Sequence, residues 1–173
     1  MTDRQPSTVR VAAIDCGTNS LRLLIADVNT ATGVITDQVR RMEIVRLGHG
    51  VDRTGIIDPA AIARTLGVCV DYAQQCREYA VERIRFVATS ATRDARNASD
   101  FVEGVRQTFG DLDVTPEVIP GSEEAFLSFL GATGDLVAEG VPGPYLVVDI
   151  GGGSTELVRG TSTVEASKSI DIG

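Results

Sequence analysis

The sequence is poor in residues that carry much of the commoner enzyme chemistry. It has one histidine, three cysteines and no tryptophan among 173 residues. The lone histidine, His49, sits in a glycine-rich loop with no nucleophile beside it, which argues against a Ser-His-Asp triad. It reads as loop polarity at a cleft rim. The cysteines, Cys16, Cys69 and Cys76, fit neither a CxxC pair nor a zinc ribbon. An odd number without an export signal points to reduced thiols in a cytoplasm, and Cys69 and Cys76 lie on one helical segment, where packing is the reading. No run approaches the roughly 18 apolar residues of a membrane span. The polar opening MTDRQPST has no apolar segment behind it suited to a signal peptide. Positive charge is also short, with a formal net charge of −8. Such a chain has no broad attraction for nucleic acid or anionic membrane, so neither is an expected partner. A polyanion would have to be held in a local pocket, by metal ions or backbone amides.

What is present is an ordinary globular composition, 43% hydrophobic, with charges of both signs interspersed. Residues 9–16 and 20–28 read as strands joined by a short turn, and 33–47 as a third extended segment. Asp58 and Pro59 fit the N-cap and first position of a helix, followed by Ile62, Leu66, Cys69, Val70, Ala73 and Cys76 at helical spacing. Residues 84–88 read as a buried strand, 99–109 as a helix and 114–119 as a strand. Pro120-Gly121-Ser122 turns into a helix carrying Glu123 and Glu124, and residues 136–138 form a further short helical piece. The order βββαβαβα predicts an α/β lobe with a mixed sheet and helices against it.

After Pro142-Gly143-Pro144 the pattern restarts, with strands expected at 145–149, 154–159 and 164–172. The two openings align: DCGTNSLRLL from Asp15 and DIGGGSTELV from Asp149. Asp, Gly at +2, Ser at +5 and Leu at +8 coincide in both, which reads as internal duplication of one unit. The expected division is therefore 1–140 for a first lobe and 141–173 for the start of a second. A glycine-rich turn alone is a common hairpin loop. A plain turn, however, has no reason to keep both Asp and Ser in two copies. Glycines let backbone approach a ligand closely, and successive amides can cup an anion. An aspartate at a strand end can bind hydrated Mg²⁺ that also touches phosphate. Two such hairpins face to face would clamp a phosphate chain. No GxxxxGK[ST] loop is present, and GGGS opens a strand rather than a helix, so the motif is neither a P-loop nor a dinucleotide fingerprint.

These residues resemble the paired phosphate hairpins of the actin, sugar-kinase and heat-shock-chaperone superfamily. Within it, AAIDCGTNSLRLLIADV, RLGHGVDRTG, VATSATRDARN, PGSEEAFLSFLG and VVDIGGGSTELV are similar, in order, to the signatures of the exopolyphosphatase / guanosine pentaphosphate phosphohydrolase family. The resemblance implies an actin-like ATPase (ribonuclease H-like) first lobe plus the first three strands of a similar second lobe. It implies Mg²⁺-dependent hydrolysis of a terminal phosphoanhydride, on inorganic polyphosphate or on guanosine pentaphosphate, with a link to the stringent response and a homodimeric assembly. The catalytic glutamate falls on Glu124, with Glu123 the alternative. Phosphate-binding positions fall on Gly17, Thr18, Asn19, Ser20, Arg22 and Arg93, and on Gly151, Gly152, Gly153, Ser154 and Thr155. Metal ligation falls on Asp15, Asp149 and Glu156. There are departures: His49 stands where the family commonly has glutamate, and Cys16 and Thr92 replace aliphatic residues.

Two alternatives remain open at this level: a kinase or ATPase of the same superfamily, and a catalytically incomplete polyphosphate- or nucleotide-binding module. Because no helices follow the last three strands, those strands are expected to pack in a non-family way on the first lobe or to pair with another copy. The GGGS turn would then not face the GTNS turn, and the chain would show little hydrolase activity.

Overall fold

The computed structural model describes residues 8–173; the first seven residues of the polar opening lie outside them. Strands β1 (Thr8–Cys16), β2 (Ser20–Asn29) and β3 (Ile35–Ile44) form an antiparallel meander. β4 (Arg83–Ala88) then joins parallel to β1, and β5 (Glu117–Val118) parallel to β4, giving the order β3-β2-β1-β4-β5. Two longer helices cover one face: α2 (Pro59–Glu78) and α4 (Ala98–Phe109). The Asp58 side chain accepts a hydrogen bond from the Ala60 amide at 2.7 Å and Pro59 opens α2, as the sequence pattern requires. Alternation in β1 and β2 sends Ile14, Cys16, Leu21, Leu23 and Ile25 into a core with Tyr72, Phe86, Phe101 and Phe109. The Tyr72 hydroxyl stays satisfied there by donating to the Leu21 carbonyl at 3.0 Å.

Several local expectations change in physically instructive ways. The strand expected over 114–119 shrinks to two residues. Pro116 offers no ladder donor, and Val114 and Ile119 are buried by packing instead. The third strand stops at Ile44 because the amides of Val45 and Arg46 both turn to the carbonyl of Asn19, each at 2.9 Å. Two short helices, α1 (Val51–Thr54) and α3 (Ser90–Asp94), appear where sequence periodicity was too brief to read. Helix α5 runs unbroken over Gly121–Ala138 and absorbs the separate piece expected at 136–138.

The second sheet comprises β6 (Tyr145–Ile150), β7 (Thr155–Gly160) and β8 (Val164–Ile170), antiparallel in chain order. One of its faces has a covering helix, contrary to expectation. α5 lays Ala125 and Phe129 against Val158, with Tyr145, Val147 and Val164 around them. The Phe129 and Tyr145 rings meet at a centroid distance of 6.4 Å. The strands therefore do not collapse on the first sheet, and their β6–β7 turn reaches the β1–β2 turn, while the other side of β6 keeps Leu146, Val148 and Ile150 exposed, as expected.

Phe129 is fully buried and holds a small cluster together. Phe129→Ala is expected to cost about 3–5 kcal/mol locally. Hydrogen exchange should rise first in β6–β8 while β1, β2 and β4 stay protected; uniform loss of protection would show that the two sheets unfold as one unit.

Candidate functional site

The two hairpins are built alike. In the first, the Gly17 amide donates to the Ser20 carbonyl at 3.0 Å; in the second, the Gly151 amide donates to the Ser154 carbonyl at 2.8 Å. These are the same two positions of the duplicated motif. None of the four hairpin glycines takes a left-handed φ. What they supply is close approach. A Cβ on Gly152 would overlap the Asn19 side chain, and one on Gly153 would stand 2.8 Å from Thr18 Oγ1 and 3.0 Å from Ser90 Oγ. The tips are thus in contact, which corrects the expectation that GGGS and GTNS would not face each other.

Between the tips and α5 lies a cleft of about 590 Å³. Its walls bring together Asp15, Gly17, Thr18, Asn19, Ser20 and Arg22 from the first hairpin, Glu124 from α5, and Asp149, Gly151, Gly152, Ser154 and Glu156 from the second. Three other predicted positions stand off the cleft wall. Gly153 backs onto Thr18 and Ser90. The Thr155 hydroxyl donates to the Ile172 carbonyl at 2.6 Å. Arg93 sits behind Glu124, donating to the Ile119 carbonyl at 3.0 Å and to Glu124 Oε2 at 3.4 Å. The two adjacent glutamates part company: Glu123 turns to Arg85 at 2.7 Å, and only Glu124 faces the cleft.

Register makes the hairpins chemically unequal. The cross-strand partner of Asp15 is Arg22; that of Asp149 is Glu156. The first pair is an ion pair, with Arg22 Nη1 3.2 Å from Asp15 Oδ2. The second sets two carboxylates opposite each other, an arrangement that is unfavourable without a compensating charge. Each is held by one hydroxyl: Ser128 Oγ donates to Asp149 at 2.7 Å and Ser169 Oγ to Glu156 at 2.8 Å. Burial pushes the Asp15 carboxyl upward from its ordinary pKa, with Asp149 adding to the shift and Arg22 opposing it. Burial likewise raises Glu124, helped by the facing Glu156 and opposed by Arg93 and Thr89.

This donor set fits Mg²⁺. Among the described residues no three His, Cys, Asp or Glu side chains form a ready metal cage. Mg²⁺ commonly takes only one or two carboxylates, completing its shell with water and substrate phosphate. The opposed Asp149 and Glu156 offer such a partial shell, with Asp15 across the cleft.

Sequence reasoning missed Thr89, Ser90, Ser128 and Ser169. Thr89 and Ser90 follow directly on parallel strand β4, and the carboxyl ends of parallel strands are where ligands gather; that signal was legible. Ser128 lies one helical turn after Glu124 and shares its face. Ser169 carried no local signal. Contact between the tips yields a direct test. Gly152→Ala is expected to shift the backbone amide resonances of residues 18–20 with little change in the α2–α4 core, whereas unmoved resonances at 18–20 would show the tips apart.

Comparison with known proteins places this geometry. A model of the Ppx/GppA phosphatase family matches residues 5–173. Exopolyphosphatase 2 of Mycobacterium tuberculosis is 52% identical over 168 residues, which take in 95% of this chain and 52% of that protein. Among solved structures, an exopolyphosphatase-like protein superposes with a TM-score of 0.88 at 45% identity, covering 96% of this chain and 51% of its own. A Ppx/GppA family member from Aquifex aeolicus gives 0.79 at 36% identity, covering 96% and 52%. The chain spans about half the length of the curated exopolyphosphatase it matches. Both sheets and the cleft between them lie within the matched residues, and the chain belongs to the Ppx/GppA phosphatase family.

Proposed function

We propose that the cleft is an active site for hydrolytic release of the terminal phosphate of inorganic polyphosphate. The observation that carries this reading is the convergence of two glycine-rich turns and four carboxylates, Asp15, Glu124, Asp149 and Glu156, on one cavity. Phosphoryl transfer requires little covalent work from a protein; it requires positioning, charge neutralisation and an oriented nucleophile. Outside the Gly17 and Gly151 amides that close the turns, the backbone amides and hydroxyls of residues 18–20, 152 and 154 would donate to phosphate oxygens. Arg22 can exchange its exposed pairing with Asp15 for a charge-assisted bond to phosphate.

Asp149 and Glu156, with Asp15, would hold Mg²⁺, which when bound neutralises phosphate charge. Glu124 orients a water and accepts its proton as the oxygen attacks the terminal phosphorus; the P–O bond to the rest of the chain breaks and the shortened chain departs. Arg93 holds the Glu124 carboxylate from behind, and Ser128 and Ser169 hold the acidic pair. Hydrolysis of guanosine pentaphosphate at the same terminal group is the second reading. It is favoured by the apolar side of the cleft, Met42, Ile44, Leu127 and Ile150, which a polyphosphate leaves unused. Three buried, unpaired thiols accord with a cytoplasmic setting.

Glu124→Gln keeps shape and removes the base. Phosphate release should slow by about 10²–10⁴-fold with little change in substrate affinity. In the wild type, activity should fall as pH drops, because protonation of Glu124 removes the base, and this acid limb should lie above the ordinary glutamate range. Arg93→Gln removes the cation opposing that shift, so the limb should move to higher pH. Full turnover in Glu124→Gln with loss in Glu123→Gln would overturn the assignment.

A further inference from the structure

A second cavity, of about 490 Å³, opens beside the cleft and is lined by Ile44, Arg46, His49 and Arg64. Ile44, the last residue of β3, lines both cavities, so the second adjoins the first there. No carboxylate lines it. That is unusual in this acidic chain, where Arg10, Arg77 and Arg85 are each neutralised by an aspartate or glutamate. Arg64 spends Nε on the Val45 carbonyl at 2.6 Å and Nη2 on the Arg46 carbonyl at 3.4 Å. Those bonds fix its guanidinium against the loop without cancelling its charge.

The loop that carries these groups is latched to the first hairpin. Val45 and Arg46 amides both donate to the Asn19 carbonyl, and the Gly48 amide donates to the Thr18 carbonyl at 2.9 Å. To make that latch Arg46 adopts a φ of 50°, a left-handed conformation uncommon for a residue other than glycine. A Cβ on Gly48 would collide with the Thr18 side chain, so the loop lies directly on the hairpin. The cationic cavity is therefore held in fixed relation to the turn that would grip the reacting phosphate.

We propose that Arg46, His49 and Arg64 form a distal anion subsite that holds phosphate units of an inorganic polyphosphate beyond those in the cleft. The inference rests on the polyphosphate reading of the cleft and adds a length requirement to it. A chain of phosphates carries negative charge at every unit, and the path past Ile44 leads from the acidic, metal-dependent end of the site to cations with no competing carboxylate. Arginine remains charged at all working pH values and offers a planar fork to phosphate oxygens. A short polyphosphate, filled by the cleft alone, would not reach this subsite.

The test compares tripolyphosphate with a long-chain inorganic polyphosphate by calorimetry at fixed Mg²⁺, for the wild type, Arg46→Gln, His49→Gln and the double variant. The wild type is expected to bind the long chain more tightly. Arg46→Gln and the double variant should weaken long-chain binding by about five- to tenfold and flatten its salt dependence by roughly one unit of log–log slope per cation lost. Tripolyphosphate binding should change less than about twofold, since its contacts remain. Melting temperatures report whether the loop stays folded, and His49→Gln, whose side chain makes no latch bond, gives a second reading if Arg46→Gln does not. Equal weakening for both ligands, or no change for the long chain, overturns the subsite while leaving the cleft reading intact. A wild type that binds neither ligand overturns both.

Discussion

The contact between the two glycine-rich turns is the constraint on which the rest of the structure depends. Each turn closes on itself with a glycine-to-serine backbone hydrogen bond, at 3.0 Å in the first and 2.8 Å in the second. The second turn carries no side chains where the tips meet, because any Cβ at Gly152 or Gly153 would enter the space of the Asn19, Thr18 or Ser90 side chains. Both sheets then point the ends of their first strands at a common space. Asp15 and Asp149 belong to separate sheets, and only the meeting of the tips makes them walls of one cleft. Helix α5 secures that arrangement from the other side: Phe129 anchors it to the second sheet while Glu124, near its start, faces the cleft.

Within this repeated frame the chemistry is deliberately unequal. One register position, seven residues after each aspartate, carries Arg22 in the first hairpin and Glu156 in the second. The first hairpin thereby pairs its aspartate with a cation, which in the proposed function is available to an anionic ligand. The second gathers like charges whose mutual repulsion a divalent cation would relieve, as proposed above. Glu124 lies between the influences of Glu156 and Arg93, one raising and the other lowering its proton affinity. The repeated turn supplies the geometry, and the difference between Arg22 and Glu156 makes the two hairpins electrostatically unequal.

Much of this was legible in the residues. The repeated Asp-x-Gly-x-x-Ser pattern was legible as two like turns, which close with the same backbone hydrogen bond, and Asp58-Pro59 marks α2 because capping is local. The side α5 would serve was not legible. Its residues are apolar around much of the helix, so Phe126 and Leu130 are exposed while Ala125 and Phe129 are buried, and periodicity alone could not choose. The shortened β5 follows from Pro116, whose effect on a ladder depends on the neighbouring strand. Ser169 reaches Glu156 only through the register of β7 and β8, which is a tertiary fact. The left-handed turn at Arg46 likewise exists to satisfy the Asn19 carbonyl, a partner far away in the sequence.

The central claim is that both hairpins grip one phosphate chain at a shared metal-dependent site. Crystals grown with tripolyphosphate and Mn²⁺, an oxygen-seeking stand-in for Mg²⁺ with a measurable anomalous signal, test it most directly. The account predicts an anomalous peak beside Asp149 and Glu156, with phosphate density touching the amides of both turns. A peak elsewhere, or phosphates contacting one hairpin only, would contradict it.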